Sequence, residues 1–162
     1  MKTIIAGSRT LAHMEQTCLQ RIRDLVKKEN IIITRGISGA AKGPDKFGEK
    51  YFKEIGVEFD QYFPNWDLHG KAAGYKRNTK MAENAEQLIA LLDFDSATGG
   101  TKHMIETAKD LGLKVWVIEF NLEPQAPPTA YKELPGFAKS DPNLKIVPLS
   151  IPAVDPRQIP LF

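Results

Sequence analysis

The sequence has little of what marks secreted, membrane-bound or nucleic-acid-coating proteins. It contains a single cysteine, Cys18, so no disulfide can form within the chain, and a reducing cytoplasmic location is expected. No apolar run approaches the roughly 20 residues of a membrane-spanning helix, and the N-terminal residues do not resemble a signal peptide. The formal net charge is +2, too small to indicate bulk binding to nucleic acid. These absences favour a globular cytoplasmic protein with no membrane partner.

Proline is scarce in most of the chain and concentrated in one part of it. Nine of the 11 prolines lie between residues 124 and 160. Proline neither donates to a strand ladder nor continues a helix. We therefore expect a folded domain over residues 1–120 and an extended, proline-rich appendage over residues 121–162, which either wraps around the domain or is partly disordered.

Short apolar runs alternate with longer amphipathic stretches in the predicted domain. The apolar runs predict five strands, at residues 3–6, 31–34, 57–63, 87–92 and 114–119. Helical spacing of apolar residues predicts helices at residues 14–29, 44–55, 71–84 and 102–111. Strands separated by helices pair in parallel. The predicted fold class is therefore α/β, with a Rossmann-like, doubly wound, mostly parallel five-stranded sheet whose strand order the sequence does not reveal.

Four polar, glycine-containing segments stand where a predicted strand leads into a helix. They cover residues 7–9, 36–45, 64–78 and 98–102. In an open α/β sheet such segments gather at the carboxyl ends of the strands, where ligands bind. Their small residues, hydroxyl groups and cations suit a ligand that carries phosphate.

The first segment, Gly7-Ser8-Arg9, follows the first predicted strand. Gly7 allows a close approach of backbone or ligand. Ser8 offers a hydrogen-bond donor to a phosphate, and Arg9 offers a bidentate clamp for one. A turn whose arginine lies in solvent explains the same three residues equally well.

The second segment carries Gly36, Gly39 and Gly43 ahead of a helix that we expect to begin at Pro44. The free amide groups and positive dipole end of that helix would form an anion site. The glycine spacing is neither the dinucleotide fingerprint nor the P-loop, so no ATPase is predicted. Asp45 either stabilises the first helical turn or binds a ribose hydroxyl.

The third segment is the densest polar run of the chain. Trp66 either stacks on a base or packs in the core, and Asp67 is placed to contact a ribose or a base edge. Arg77 and Asn78 belong to the following predicted helix and are expected to reach back to the ligand. Lys71 is interpreted as part of a solvated helix face.

The fourth segment, Gly99-Gly100-Thr101-Lys102, again combines flexible backbone and a hydroxyl with a helix N-terminus. Thr101 is the expected N-cap of that helix. Two such helix starts on one sheet, flanked by arginines, strengthen the prediction of a phosphate site. The three histidines lack metal-ligand spacing to one another, so no metal site is predicted.

Together these segments resemble the SLOG superfamily, a Rossmann-like group that includes the cytokinin-activating phosphoribohydrolases and the DNA-processing protein Smf/DprA. The similarity is to its small YspA-type branch, whose motifs match residues 7–9, 39–45, 64–78 and 100–103. The second match reads G-x-x-x-G-x-D, and the third reads P-x-W-x-x-x-G-x-x-A-G-x-x-R-N. The resemblance covers residues 3–118. It implies binding of a nucleotide or nucleotide-derived ligand, a homodimer, and a bacterial or phage origin.

One departure bears on catalysis. The phosphoribohydrolases carry P-G-G-x-G-T-x-x-E, whereas here the third residue after Thr101 is Met104. Glu106 lies about 200° around the helix from Met104 and would not occupy the same place. Asp45 and Asp67 are the remaining candidates for the carboxylate that cleavage of an N-glycosidic bond requires. We therefore expect a nucleotide sensor or carrier, with a nucleotide N-glycosidase as the alternative and no cofactor beyond the nucleotide itself.

The chain ends in Gln158-Ile159-Pro160-Leu161-Phe162, which resembles the short peptide that many bacterial and phage proteins of DNA metabolism use to bind a sliding clamp. In such a peptide Leu161 and Phe162 fill an apolar pocket while Gln158 hydrogen-bonds at its rim. The other interpretation is an apolar segment that packs against its own domain. A DNA sliding clamp is thus a candidate partner.

Overall fold

The computed structural model describes residues 1–93, 99–121 and, as backbone, residues 144–147. These residues contain the strands β1 (Lys2–Gly7), β2 (Arg35–Ser38), β3 (Phe59–Gln61), β4 (Gln87–Asp93), β5 (Lys114–Phe120) and β6 (Leu144–Val147). The strands form one sheet in the order β3-β2-β1-β4-β5-β6, and every neighbouring pair is parallel. The predicted doubly wound α/β fold is confirmed.

Helices cover both faces of the sheet. They are α1 (Glu15–Lys28), α2 (Pro44–Glu54), α3 (Trp66–His69), α4 (Ala73–Glu83) and α5 (Gly100–Asp110), with 3₁₀ turns at Arg9–His13 and Gly70–Ala72. Successive strand residues point to opposite faces of the sheet, so the strands contribute to two separate apolar clusters. α1 and α2 pack on one of these clusters, and α4 and α5 pack on the other. Cys18, a residue of α1, is fully buried in the core. Within the described ranges, no helix has the length and apolar character needed to cross a bilayer.

β6 extends the sheet beyond the five predicted strands. It pairs with β5, with Leu144 opposite Val115 and Val147 opposite Ile118. This strand has only four residues, and Pro142 and Pro148 flank it. Because proline is unfavourable in strands, the sequence predicts an extended appendage here and no sixth strand. Most other residues of that appendage lie outside the described ranges, so its wrapping or disorder stays a prediction.

The predicted position of the second strand, at residues 31–34, is wrong: the observed strand lies four residues later in the sequence. β2 begins at Arg35, which the parallel register places opposite Lys2, the first residue of β1. Residues 31–34 therefore precede the amino edge of the sheet, and Ile32 is 69% exposed there. The β-propensity of three consecutive isoleucines is overridden by the pairing register.

The order of the strands reverses between β1 and β4. β2 and β3 continue the sheet on one side of this pair, and β5 and β6 continue it on the other. The chain leaves β1 towards α1 on one face and leaves β4 towards α5 on the opposite face. The two connections diverge, and in open α/β sheets ligands bind in the crevice that forms at such a point.

Candidate functional site

A cleft of about 370 Å³ opens at the carboxyl ends of β1 and β4. Small-molecule sites usually enclose roughly 300–1,000 Å³, so the cleft is large enough for a compact ligand. All four segments singled out in the sequence contribute to it. Its described lining consists of Ala6, Gly7, Ser8, Arg9, Thr10, Ala41, Asp45, Trp66, Lys71, Gly74, Tyr75, Arg77, Asn78, Gly100 and Thr101.

Arg77 is held in place by a network that joins three parts of the cleft wall. Its Nη1 donates to the carbonyl oxygen of Gly39 at 2.6 Å, and its Nε and Nη2 donate to Asn78 Oδ1 at 3.3 and 3.0 Å. Asn78 Nδ2 in turn donates to the carbonyl oxygen of Gly100 at 2.9 Å. A guanidinium has five N–H groups, so two remain for a ligand. The network orients the charge before any ligand arrives.

Gly39 is the point on which Asp45 and Arg77 converge. A Cβ atom at Gly39 would lie 2.6 Å from Asp45 Oδ2 and 2.8 Å from Arg77 Cζ. Both distances are shorter than real Cβ contacts. Only glycine therefore allows the β2–α2 loop to pass between these two side chains. Gly39 supports the site without itself lining the cleft.

Asp45 is a carboxyl group buried at the floor of the cleft, with 4% of the residue exposed. Its Oδ2 accepts a hydrogen bond from the Ala41 amide at 3.3 Å, and the Gly7 amide also donates to it. Burial raises the pKa of Asp45 to about 6, while nearby Arg77 and the two amides act in the opposite direction. The described salt bridges do not include an Asp45–Arg77 pair, so the carboxyl keeps acceptor capacity of its own.

The cleft carries an excess of positive charge. Arg9, Lys71 and Arg77 line it, against the single carboxyl residue Asp45 among its described lining residues. Burial lowers the pKa of Arg77, Asp45 opposes that change, and the like charge of Arg9 adds to it. The two guanidinium groups therefore lie close enough to repel each other. An anion placed between them relieves that repulsion.

The first segment joins the ends of β1 and β4. The Ser8 amide donates to the carbonyl oxygen of Leu91 at 2.9 Å, and the Asp93 amide donates to Ser8 Oγ at 3.1 Å. Gly7 lies so close to Leu91 and Pro44 that a Cβ atom would overlap both. Ser8 therefore connects the ends of β1 and β4 in addition to lining the cleft. These hydrogen bonds hold the backbone next to Arg9 in place.

Two aromatic side chains form the outer wall. Trp66 is 53% exposed and Tyr75 is 44% exposed, and both line the cleft. Trp66 begins α3, whose N-cap Asn65 accepts a hydrogen bond from the Leu68 amide at 3.0 Å. The Tyr75 ring contacts the His103 ring at a centroid distance of 4.6 Å. Of the two sequence interpretations for Trp66, core packing is wrong, because half of the side chain is in solvent.

The two predicted helix N-termini differ in what they present to the cleft. At α2, Pro44 has no amide hydrogen, and the Lys46 and Phe47 amides both donate to the carbonyl oxygen of Gly43. Gly43 and Pro44 lie outside the described lining of the cleft, and the Lys46 and Phe47 amides are bonded within α2, so the anion site on the amides of α2 stays a prediction. The acidic side chain of Asp45 occupies this end of the helix.

At α5 the first residues do face the cleft. Gly100 and Thr101 line it, and their amides precede the first hydrogen bond of the helix, from the His103 amide to the carbonyl oxygen of Gly99 at 3.0 Å. The predicted N-cap at Thr101 is wrong, because the helix starts at Gly100 and its N-cap is Gly99, with φ 69°. Thr101 is therefore a residue of the first turn, at the end of the helix dipole that attracts anions.

The structure brings nine of the predicted site residues to the cleft and leaves others outside its described lining. The nine are Gly7, Ser8, Arg9, Asp45, Trp66, Arg77, Asn78, Gly100 and Thr101. Gly36 lies inside β2, where the Phe52 ring packs against it. Asp67 is exposed on α3, and Lys102 is 3.8 Å from Glu106 along α5. Gln158, Leu161 and Phe162 lie outside the described residues.

Sequence reasoning missed three side chains of the cleft. The sequence motifs do not point to Tyr75 or Thr10, and they predict a solvated helix face at Lys71, whereas all three line the cleft. Their positions in the sequence could have indicated them. Thr10 directly follows Arg9, Lys71 lies just before α4, and Tyr75 lies in the first turn of α4. Lys71 and Tyr75 also lie between the predicted site residues Trp66 and Arg77. Loops that carry binding residues often supply further residues to the same cavity.

A second depression, of about 530 Å³, lies at the opposite end of β2 and β3 and is lined by Arg35, Lys53, Gly56, Val57, Glu58 and Phe59. It is a shallow surface feature. Arg35 is already paired with Asp60 at 2.6 Å and with Glu58 at 3.1 Å. Lys53 lies over the Phe59 ring at 5.7 Å. Its cations are therefore satisfied within the protein, and the smaller cleft has the stronger features of a ligand site.

No protein family, curated protein or solved structure matches this chain in the comparisons. The geometry of the cleft is therefore the basis for assigning a function. Among the described residues, no group of three histidine, cysteine or acidic side chains is arranged to hold a metal ion.

Proposed function

We propose that the cleft binds a nucleotide or a nucleotide-derived ligand, as a sensor or carrier. One observation carries this proposal: the oriented guanidinium of Arg77 lies in a cleft at the reversal of strand order between β1 and β4. That position is where open α/β sheets bind their ligands. The SLOG resemblance of the sequence supports the same conclusion.

The cleft lining combines groups that suit the two parts of a nucleotide, its phosphate and its base. Arg9, Arg77 and the first turn of α5 supply charge and amide groups for a phosphate. Trp66 and Tyr75 supply exposed aromatic surface for a base. Stacking of a base on an aromatic side chain contributes about 1–3 kcal/mol. A phosphate-bearing ligand without a base would leave this aromatic wall in water.

The test is a panel of adenine and guanine nucleotides, NAD and ADP-ribose, screened by thermal unfolding. A ligand present at 100 times its Kd stabilises the folded state by about 2.7 kcal/mol, which gives a clear rise in Tm. The chain has two tryptophans, so a Trp116→Phe variant leaves Trp66 as the sole tryptophan reporter. Stacking should change its fluorescence saturably at the same Kd. No change in Tm or fluorescence with any member at millimolar concentration would overturn the proposal.

Variants of the two cleft arginines connect binding to the site. Arg9→Ala and Arg77→Ala should each weaken binding at least tenfold, since a charged hydrogen bond contributes about 1.5–3 kcal/mol. Arg21 lies on α1 and outside the cleft lining, so Arg21→Ala is the matched control. Equal losses in all three variants would show that the effect is not local.

Hydrolysis of the nucleotide is the less favoured alternative. Glycosidases usually act through a pair of carboxyl groups, whereas Asp45 is the one acidic residue among the described lining. Met104, at the position of the family's glutamate, is 2% exposed and packs against the sheet. Chromatography of the same nucleotide mixtures checks this point. Release of free base by the wild type but not by Asp45→Asn would establish an N-glycosidase instead.

A second candidate function rests on the sequence of residues 158–162. We propose that Gln158, Leu161 and Phe162 bind a DNA sliding clamp, because glutamine followed by a leucine-phenylalanine pair is typical of clamp-binding peptides. Removal of these five residues should abolish binding to a purified bacterial clamp, while Arg77→Ala should leave it unchanged. Equal affinity of the truncated and full chains would eliminate this candidate. Nucleotide binding and clamp binding are compatible in one chain.

A further inference from the structure

The cleft places a buried carboxyl group beside its phosphate-binding arginines. Asp45 lies at the floor of the cleft, and a Cβ atom added at Gly39 would lie 2.6 Å from its Oδ2 and 2.8 Å from Arg77 Cζ. A site for a simple anion gains nothing from this arrangement, because a carboxylate repels the ligand that the arginines attract. The carboxyl therefore needs an explanation beyond phosphate binding.

The partners of Asp45 leave it able to accept another hydrogen bond. It accepts from the Ala41 and Gly7 amides, and an ionised carboxylate has about four acceptor positions. The charged groups that face it are Arg77 from α4 and Glu49 from its own helix. Glu49 is itself occupied by Ser38, Gln61 and Lys46. The unfilled positions of Asp45 are thus available to a donor in the cleft.

A ribose hydroxyl has the required chemistry. It is a donor fixed within the same molecule as the phosphate, so one ligand satisfies the arginines and the carboxylate together. A hydrogen bond to an ionised acceptor is short and about twice as strong as one between neutral groups. A buried acceptor that is left unpaired costs about 1–3 kcal/mol, more when it is charged. A ligand that lacks the hydroxyl therefore loses affinity through the unpaired carboxylate.

We propose that Asp45 is a specificity-determining residue, which accepts a hydrogen bond from a ribose hydroxyl and makes the cleft select ribonucleotides over their deoxy forms. This inference rests on the proposed nucleotide binding and assigns the sugar class of that ligand. It gives the oriented carboxyl a function that phosphate binding alone does not.

The experiment compares sugars at one base. The tightest-binding member of AMP, GMP, CMP and UMP is titrated by calorimetry at pH 8, alongside its 2′-deoxy and 3′-deoxy forms. The wild type should bind at least one deoxy form about 10- to 100-fold more weakly, consistent with a charged acceptor left unpaired. Asp45→Asn should reduce that ratio to threefold or less. Asp110→Asn is the matched control, because this carboxyl is exposed at the end of α5 and outside the described cleft lining.

A second measurement keeps the inference testable if Asp45→Asn does not fold. The ratio of ribo- to deoxy-affinity in the wild type should be larger at pH 8 than at pH 5, where Asp45 carries a proton. Titration of the nucleotide phosphate affects both ligands equally and cancels in the ratio. Equal affinities for all three sugars at pH 8 would overturn the role of Asp45 while leaving nucleotide binding intact. Failure of every nucleotide to bind would instead overturn the proposed function.

Discussion

Asn78 Nδ2 donates a hydrogen bond of 2.9 Å to the carbonyl oxygen of Gly100, and thereby ties α4 to the first turn of α5. The same side chain accepts two hydrogen bonds from Arg77 through Oδ1. Asn78 is 3% exposed. The ligand-binding role that the sequence predicts for Asn78 stays a prediction; the geometry adds that its amide positions Arg77 relative to the N-terminus of α5.

Asn78→Ala should therefore reduce both stability and nucleotide affinity. The change removes the hydrogen bond to the carbonyl of the exposed residue Gly100 and the two that Asn78 accepts from Arg77, each of which contributes about 0.5–1.5 kcal/mol to the free energy of unfolding. It also frees Arg77 to leave its orientation, so the Kd should rise about tenfold. Urea unfolding and nucleotide titration measure the two effects. Asn84→Ala is the control, because Asn84 is exposed and its side chain donates to the Lys80 carbonyl at the end of α4, away from the cleft. Unchanged affinity in Asn78→Ala would contradict the positioning role.

Gly39→Ala should damage the site through overlap alone. The added methyl would meet Asp45 Oδ2 at 2.6 Å and Arg77 Cζ at 2.8 Å, so one or both side chains must move. We expect a loss of about 1–3 kcal/mol in stability, as for other overpacked sites, and a clear loss of affinity. At Gly74 the added methyl meets only the Trp66 ring, at 3.8 Å. Gly74→Ala should accordingly raise helix stability by up to about 1 kcal/mol. Equal stabilities of the two variants would refute this explanation.

The stability of the protein should fall with rising pH through the titration of Asp45. Burial raises its pKa from 3.8 to about 6, so between these values the folded protein keeps a proton that the unfolded chain has lost. The difference corresponds to about 3 kcal/mol, fully expressed above pH 6 and absent below pH 4.

Comparison with Asp45→Asn isolates this contribution, because the other acidic groups are common to both proteins. Urea unfolding from pH 4 to pH 7.5 should show the wild type losing stability relative to the variant as the pH rises. A stability difference that is independent of pH would show that Asp45 does not titrate in this range.

Arg35→Ala tests which of the two surface depressions binds the ligand. Arg35 lines the larger one and pairs with Asp60 and Glu58, and these are partly exposed pairs. Its loss should cost at most about 1 kcal/mol of stability and leave nucleotide affinity unchanged. Thermal unfolding and titration measure both. A tenfold loss of affinity in Arg35→Ala, with Arg77→Ala unaffected, would move the ligand site to the other end of the sheet.

Local pattern was sufficient for the order and type of most elements, but it failed where pairing or backbone geometry decided the outcome. β1, β4 and β5 are continuous apolar runs between polar segments, and the structure places them within a residue or two of the prediction. The second strand was displaced because three isoleucines carry more β-propensity than Arg35-Gly36-Ile37-Ser38, which forms β2. The N-cap of α5 was misplaced because threonine is a better cap by composition than the glycine that adopts the required turn.

Hydrophobic periodicity and glycine placement are enough to predict a parallel α/β sheet whose polar, glycine-containing segments follow the strands. Both are local properties of the chain, so no tertiary contact is needed to recognise them. The three-dimensional arrangement alone shows that β1 and β4 are neighbours, that Asp45 and Arg77 both approach Gly39, and that the first turn of α5 lines the cleft. These are contacts between residues distant in sequence, and they depend on strand order and register, which no local pattern encodes.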